Sequence, residues 1–118
     1  MERNVQISML SEIYGKMLTE KQLDVLKDYY DQDLSLAEIG TDKGISRQAV
    51  RDMIKKGEKK LFEFEEKLGF MKRMLKQEEK ISTILSELLK IQSKFTDNEV
   101  AEVLEHVRKE LTLMKVNV

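Results

Sequence analysis

The sequence predicts an all-α protein, and three features of its composition carry this prediction. Its 118 residues contain no Pro and only five Gly, aromatic residues make up 6% of the chain, and charged residues make up 36%. Straight-chain residues such as Lys, Glu, Leu and Met lose little rotamer freedom in a helix, so this composition favours helices. An all-β sandwich of this length would need more aromatic and β-branched residues and more frequent turn signals.

Capping signals predict where the helices begin. Apolar residues at helical spacing, Ile7, Leu10 and Tyr14, indicate a first helix near the N-terminus. Capping boxes, in which a Ser or Thr is followed three residues later by Gln or Glu, then predict three further helix starts, at Thr19–Gln22, Ser35–Glu38 and Thr96–Glu99. Ser46 is a fourth N-cap, and Gly44 just before it is expected to end the preceding helix.

A long helix is expected to start at Ser46, and two apolar stripes follow it. Apolar residues from Val50 to Leu68 recur every three or four positions, and Gly57 on this face suggests close packing. The stripes Ile81–Phe95 and Val100–Met114 predict two more helices, with Gly69 and the polar stretch 77–80 as the points where the chain could bend. We therefore expect a module over residues 1–66 and a helical C-terminal arm over residues 67–118.

Several classes of protein are not supported by the composition. The chain has no Cys and one His, so we expect no disulfide, no thiol nucleophile and no metal site, and no cofactor is implied. No apolar run approaches the roughly 20 residues of a membrane span, and the N-terminus does not resemble a signal peptide. No catalytic constellation can be assembled. The expectation is a cytoplasmic protein that is not an enzyme and does not contact a membrane.

The positive charge is concentrated in one segment. Residues 43–60 hold seven basic and two acidic side chains, whereas residues 1–42 hold four basic and nine acidic ones. Such a local excess of positive charge in a nearly neutral chain is typical of a surface that faces phosphates. The alternative is a helix face that is merely solvated.

The same segment meets the requirements of a helix-turn-helix. Its first helix needs an apolar core residue followed by a small one, its turn needs a glycine and an apolar plug, and its second helix needs apolar anchors. The residues that meet these requirements are, in order, Ile39, Gly40, Gly44, Ile45, Val50 and Ile54. An ordinary helical hairpin with a solvated basic face is the alternative.

If Val50 and Ile54 are buried, the opposite face of the second helix is exposed. Arginine can recognise guanine, glutamine can recognise adenine, and lysine suits phosphate contacts. A serine at the helix N-terminus can cap the helix or contact a phosphate. The candidate nucleic-acid-binding residues are Lys43, Ser46, Arg47, Gln48, Arg51, Lys55, Lys56, Lys59 and Lys60.

These motifs resemble those of the YlxM-type family. The resemblance rests on the Thr19-x-Lys21-Gln22 motif, on the Tyr29-Tyr30 pair, on D-x-S-L-x-E-I at 33–39 and above all on S-R-Q-A-V-x-D-x-I-K at 46–55. It covers about residues 8 to 70. It implies a helix-turn-helix similar to region 4 of sigma factors, a regulatory role, and a link to the GTPase and RNA of the signal recognition particle.

Four positions depart from the family pattern, and one of them is Phe64, which replaces a usual Tyr. Gly40 stands where the family has Ala, which is expected to loosen the helix crossing slightly. Lys56 replaces an Arg and so loses a bidentate fork while keeping the charge. Arg51 stands where some relatives carry Tyr, which changes any recognition of bases.

These observations favour a small regulatory protein that binds nucleic acid through its helix-turn-helix, in connection with the signal recognition particle pathway. The alternative is an adaptor that binds the particle's GTPase or RNA without sequence-specific DNA binding. Both duplex DNA and the particle's RNA remain open as the nucleic-acid partner. The two C-terminal stripes have little else to bury them, so we expect a homodimer, with a monomer whose arm folds back as the alternative.

Overall fold

The computed structural model describes residues 1–94 and 97–116, and over these residues it contains six α-helices and no strand. The all-α prediction is therefore confirmed. A short 3-10 turn over Gly15–Met17 joins the first two helices. The helices are α1 (Arg3–Tyr14), α2 (Glu20–Tyr30), α3 (Leu36–Lys43), α4 (Arg47–Leu68), α5 (Phe70–Gln92) and α6 (Asn98–Val116).

Two of the predicted capping boxes are present in full. The Thr19 hydroxyl accepts a hydrogen bond from the backbone N–H of Gln22, and the Gln22 side chain accepts one from the backbone N–H of Thr19. Ser35 and Glu38 exchange the same pair of bonds at the start of α3. These bonds satisfy N–H groups that have no partner inside the helix, which explains why α2 and α3 begin there.

The start of α6 is capped by Asp97. The Asp97 carboxylate accepts hydrogen bonds from the backbone N–H groups of Glu99 at 2.8 Å and Val100 at 3.4 Å, so Asp97 caps α6. An ionised carboxylate is well suited to this position because it also interacts favourably with the helix dipole. Thr96, the predicted cap, and Phe95 of the predicted apolar stripe lie outside the described residues.

Of the two predicted break points, the chain uses one. Gly69 adopts a left-handed conformation with φ of 64° and ends α4, and α5 begins at the next residue. The polar stretch 77–80 does not interrupt α5, which runs unbroken from Phe70 to Gln92. Gln, Glu and Lys are all good helix formers, so the helix continues through this stretch. The interruption of the apolar pattern there changes only which side of the helix carries the apolar residues.

The chain divides into two compact units, residues 1–71 and residues 72–118. In the first unit α4 packs against α1, α2 and α3, and a single apolar core lies between these helices. The side chains that are completely or almost completely buried come from all four helices and are Ile7, Leu10, Tyr14, Val25, Leu26, Ile39, Val50 and Leu61.

Gly57 is a close-packing point between α2 and α4, as its place on the apolar face suggested. It is buried, and a Cβ at this position would lie 2.8 Å from Cδ1 of Leu26. A larger residue here would force the end of the Leu26 side chain to move. The conformational cost of a glycine inside a helix, about 1 kcal/mol, is therefore balanced by the burial of Leu26.

The first unit extends past the expected module limit at residue 66 because hydrogen bonds tie the start of α5 to α1 and α4. The Tyr14 hydroxyl donates to Glu65 at 2.7 Å and accepts from the backbone N–H of Phe70 at 3.2 Å. The same Glu65 oxygen accepts from the backbone N–H of Met71 at 3.0 Å. The side chain of Met71 is buried.

The second unit contains most of α5 together with α6. The ammonium group of Lys115 donates a hydrogen bond to the Ser82 hydroxyl at 2.9 Å, so the end of α6 lies beside the first half of α5. The two helices therefore run antiparallel. On α6, Arg108 pairs with Glu105 at 2.5 Å, and this ion pair lowers the pKa of Glu105 to about 2. Among the described residues of this unit, Ile81 is the only buried apolar side chain.

Candidate nucleic-acid interface

The turn between α3 and α4 is built around Gly44. This residue is left-handed, with φ of 70°, and its N–H donates to the carbonyl of Gly40. The N–H of Ile45 donates to the same carbonyl at 2.9 Å. A glycine takes this conformation without steric cost, so the chain can leave α3 and start α4 within three residues. Ile39, Val50 and Ile54 are buried on the inner side of the two helices, and Ile45 is half-buried.

Gly40 has less space around its Cα than the sequence suggested. A Cβ at this position would lie 2.7 Å from the carbonyl oxygen of Ile45, which is a backbone atom that cannot swing aside. The expectation that Gly in place of Ala slightly loosens the helix crossing is therefore wrong for this chain. The missing side chain lets the turn pack directly on α3.

The N-terminus of α4 is capped by Ser46, whose hydroxyl accepts a hydrogen bond from the backbone N–H of Ala49 at 3.0 Å. Ser46 is exposed, and the first N–H groups of α4, which have no acceptor inside the helix, lie beside it. Such groups, together with the positive end of the helix dipole, favour an anion at this position.

The predicted cations lie on the surface of α4. Val50, Ile54, Gly57 and Leu61 form its buried stripe. At 100° per residue, side chains that recur every four residues form a slowly turning stripe along a helix. Arg47, Arg51, Lys55 and Lys59 form such a stripe, and Lys56 and Lys60 form a second one beside it. All six side chains are exposed, and none of them forms an ion pair within residues 1–94 and 97–116.

Two of the predicted site residues differ from these six. Lys43 is half-buried and pairs with Asp28 of α2 at 3.7 Å, so its charge is partly neutralised within the fold. Gln48 is exposed, but its amide nitrogen donates to Asp52 at 3.1 Å, one turn further along α4. The carbonyl oxygen of that amide remains available as an acceptor.

Glu58, the next acidic residue of α4 after Asp52, is held by groups of other helices. Glu58 forms an ion pair with Arg3 at 3.2 Å and accepts a hydrogen bond from the Tyr30 hydroxyl. The burial of Tyr30 raises the pKa of this phenol above its ordinary value, and the hydrogen bond to Glu58 raises it further. The Arg3 guanidinium lies over the ring of Phe62, 5.0 Å from its centre. The charge of Glu58 therefore faces α1 and α2.

A groove beside α4 was missed by sequence reasoning. It runs along Arg51 and Lys55 and is closed on its other side by residues of α2 and α3. The lining residues are Tyr29, Tyr30, Leu36, Arg51, Ile54, Lys55 and Glu58. Tyr29 is exposed and packs edge-to-face against Tyr30, with ring centres 5.0 Å apart. The Tyr29-Tyr30 pair was a visible signal in the sequence, but its position beside the cations depends on how α2 packs against α4.

Within residues 1–94 and 97–116, no group of three His, Cys, Asp or Glu side chains is placed to hold a metal ion. Nor is any helix in these ranges long and apolar enough to cross a membrane.

Comparison with known proteins places the chain in a family. Residues 1–103 match the UPF0122 family, described as "Putative helix-turn-helix protein, YlxM / p13 like". A UPF0122 protein of Clostridium botulinum is 47% identical over 88 residues, which is 75% of this chain and 81% of that protein.

Two further relatives cover more of the chain. A UPF0122 protein of Clostridium acetobutylicum is 33% identical over 98% of this chain and 100% of its own length. One from Fusobacterium nucleatum is 36% identical over 87% of this chain and 93% of its own length. The chain belongs to the YlxM / p13-like helix-turn-helix family.

Proposed function

We propose that this protein is a small regulatory protein that binds nucleic acid through α3 and α4, in the cytoplasm and in connection with the signal recognition particle pathway. The observation that carries the proposal is the exposed stripe Arg47, Arg51, Lys55 and Lys59. It lies on the second helix of a helix-turn-helix and outside the buried stripe of the same helix. None of these four cations is neutralised within the described fold.

The residue types suit this task. Arg47 and Arg51 lie in the first two turns of α4, the part of a recognition helix that reaches base edges, and each can bond guanine through two hydrogens. Gln48 can accept or donate toward a base edge once Asp52 releases its amide. Lys55, Lys56, Lys59 and Lys60 lie further along the helix and would hold phosphates. Ser46 and the free N–H groups beside it would hold another.

Lys43 has a smaller part in this proposal than the other cations. Its pairing with Asp28 at 3.7 Å must loosen before the ammonium group can move to a phosphate. Between Arg47 and Lys60, α4 therefore carries six cations that form no ion pair within the described residues, whereas Lys43 at the end of α3 is paired. We expect the contribution of Lys43 to binding to be the smallest of the seven.

Duplex DNA is the nucleic acid that this geometry favours. An exposed helix fits the major groove of B-form DNA, whereas the major groove of an RNA helix is too narrow for it. The particle's RNA remains the second possibility, because RNA can be recognised in loops and bulges whose bases are unstacked. The groove at Tyr29 and Arg51, with an aromatic ring beside a cation, is the part of the surface that would suit such a base.

The alternative function is an adaptor that binds the GTPase of the signal recognition particle. The observation that favours it is the exposed apolar surface of α5 and α6, where Ile84 and Val103 are open to solvent. Such exposed apolar side chains are typical of surfaces that contact another protein. Binding there would tolerate salt, whereas phosphate binding would not.

A binding titration at two salt concentrations tests the proposal. Labelled random duplex DNA, the particle's RNA and the purified GTPase would be titrated in parallel with the wild-type chain. With about six phosphate contacts, the logarithm of the nucleic-acid affinity should fall against the logarithm of salt with a slope of about −5. Binding to the GTPase alone, insensitive to salt, would overturn the proposal in favour of the adaptor.

Variants of α4 test whether this helix is the surface that binds nucleic acid. Arg47→Ala and Arg51→Ala should each weaken nucleic-acid binding by about tenfold to a hundredfold, because each removes a charged two-pronged contact. Lys55→Ala should reduce the salt slope by about one. Lys67→Ala is the matched control, since Lys67 is an exposed lysine at the other end of the same helix. Unchanged binding by Arg47→Ala and Arg51→Ala would show that α4 is not the recognition helix.

A further inference from the structure

The second unit leaves much of its apolar surface uncovered. Over residues 72–94 and 97–115, Ile81 is the one apolar side chain that is buried. Ile84 and Ile91 on α5 are 43% and 41% exposed, and Val103 and Met114 on α6 are 63% and 47% exposed.

The four side chains lie on one side of the helix pair. Ile84 and Ile91 are seven residues apart, and Val103 and Met114 are eleven apart, so each pair lies along one stripe of its own helix. On each helix the stripe lies about a quarter turn away from the half-buried residues of that helix, such as Leu85 and Leu104. The rotational sense of this offset is the same on both helices. Because α5 and α6 are antiparallel, equal offsets bring both stripes to the same side. We call this surface the apolar face.

Two helices of this size do not make a core by themselves. A chain segment of about 40 residues usually needs a disulfide, a metal or association with another chain to stay compact. This chain has no Cys, and the described residues hold no metal-binding cluster. Association is the remaining means, and it would bury the apolar face in the way that a four-helix bundle buries its inner positions.

The charges of the two helices indicate what associates. Residues 72–94 hold six basic and three acidic side chains, whereas residues 97–116 hold three basic and five acidic ones. α5 is thus net positive and α6 net negative. A two-fold axis parallel to the helices places α5 of one copy over α6 of another, so that opposite charges meet and every neighbouring pair of helices is antiparallel.

We propose that the apolar face is the contact between two copies of this chain, which join their α5–α6 pairs into an antiparallel four-helix bundle. Ile84, Ile91, Val103 and Met114 of each copy become buried at the centre of the contact. The inference does not depend on nucleic-acid binding, since it uses only residues 72–116. If both proposals hold, the dimer carries two recognition helices related by the same two-fold axis.

Sedimentation equilibrium of the full wild-type chain, at concentrations from about 1 to 100 µM, is the direct test. We choose this range because it brackets a dissociation constant in the micromolar range. The expected mass is twice the 13.8 kDa of one chain. The thermal midpoint should also rise with concentration, because association stabilises the folded state by mass action. A mass of one chain throughout this range overturns the inference and leaves the apolar face to a different protein.

A pair of double variants then tests which surface is used. Ile84→Glu with Val103→Glu should raise the dimer dissociation constant at least tenfold while the circular dichroism of the chain stays helical. Leu89→Glu with Leu113→Glu is the matched control, since these leucines are 55% and 53% exposed and lie off the apolar face. Equal dissociation by both variants would show that the contact lies elsewhere. Loss of helicity in the first variant leaves the sedimentation of the wild-type chain to decide.

Discussion

The two units are built from the same kind of helix but bury their apolar residues to very different degrees. In residues 1–71, α4 is enclosed by α1, α2 and α3, and eight large side chains are completely or almost completely buried. In residues 72–116, α5 and α6 are longer than most helices of the first unit, yet Ile81 is the one apolar side chain that the described structure buries. Helix length and an apolar stripe are therefore insufficient for a core, because a core requires helices that surround one another.

The difference also separates two kinds of surface. In the first unit the apolar stripe of α4 is fully used, so its other face is free to carry unpaired cations. In the second unit the apolar residues themselves remain at the surface. We therefore expect substitutions in the first unit to change the free energy of unfolding and substitutions in the second to change association.

The largest expected effect is that of Leu61→Ala. Leu61 is completely buried in the first unit, and its truncation should lower the free energy of unfolding by about 2–5 kcal/mol through lost burial and the cavity left behind. Leu113→Ala in the second unit, where Leu113 is exposed, should change it by at most about 0.5 kcal/mol. Urea denaturation of both variants measures the contrast, and equal losses would show that the two units do not differ as described.

The next largest effect is expected for Gly40→Ala. The added Cβ would meet the Ile45 carbonyl at 2.7 Å, so the turn must shift, at a cost of about 1–3 kcal/mol. Nucleic-acid binding should weaken too, because the N-terminus of α4 moves with the turn. Denaturation and a binding titration of the same variant measure both effects. A variant as stable as the wild type would mean that the turn adapts freely.

Substitutions at the helix caps of the two units are expected to have smaller effects. Ser46→Ala removes the cap of α4 and should lower the free energy of unfolding by about 1 kcal/mol, whereas Ser46→Asp should keep the cap but repel a phosphate. Asp97→Ala should instead increase hydrogen exchange at the start of α6 with little change in the unfolding of residues 1–71. Exchange rates at Ala49 and Val100 distinguish the two outcomes, and a shared response at both amides would contradict the separation.

The smallest effect concerns the pH dependence of α6. The hydrogen bond and charge of Arg108 lower the pKa of Glu105 to about 2 from an ordinary value of 4.5. A group whose folded-state pKa is lowered stabilises the folded state above its ordinary pKa, and this stabilisation is lost as the pH falls toward 2. We expect the helicity of α6 to decrease between pH 5 and pH 2, and less so in Glu105→Gln. Glu105 and Arg108 are exposed, so the change should be slight and should shrink further with added salt.

Much of the fold was predictable because its signals are local. The capping boxes at Thr19 and Ser35, the cap at Ser46 and the left-handed glycine at Gly44 each depend on residues within one helical turn, and each is present as predicted. The break at Gly69 is local in the same sense. At the start of α6 the described residues show Asp97 as a cap, whereas the predicted cap, Thr96, lies outside them.

The candidate site was predictable in part. The exposure of Arg47, Arg51 and Lys55 follows from helical spacing once Val50 and Ile54 are assigned to the core, and the structure has all three exposed. The pairing of Lys43 with Asp28 and of Glu58 with Arg3 and Tyr30 could not be read from spacing. These contacts join helices that are distant in sequence, and they determine which charges are free.

The sequence by itself determined the helical composition, most helix ends, the helix-turn-helix and the side of α4 that carries the cations, because turns, caps and periodicity act over a few residues. Only the tertiary structure decided that Gly40 and Gly57 are needed for close contact, that Tyr29 borders a groove beside Arg51, and that the second unit leaves its apolar face open. The physical reason is that steric contact and burial depend on which helices meet, and a local pattern does not contain that information.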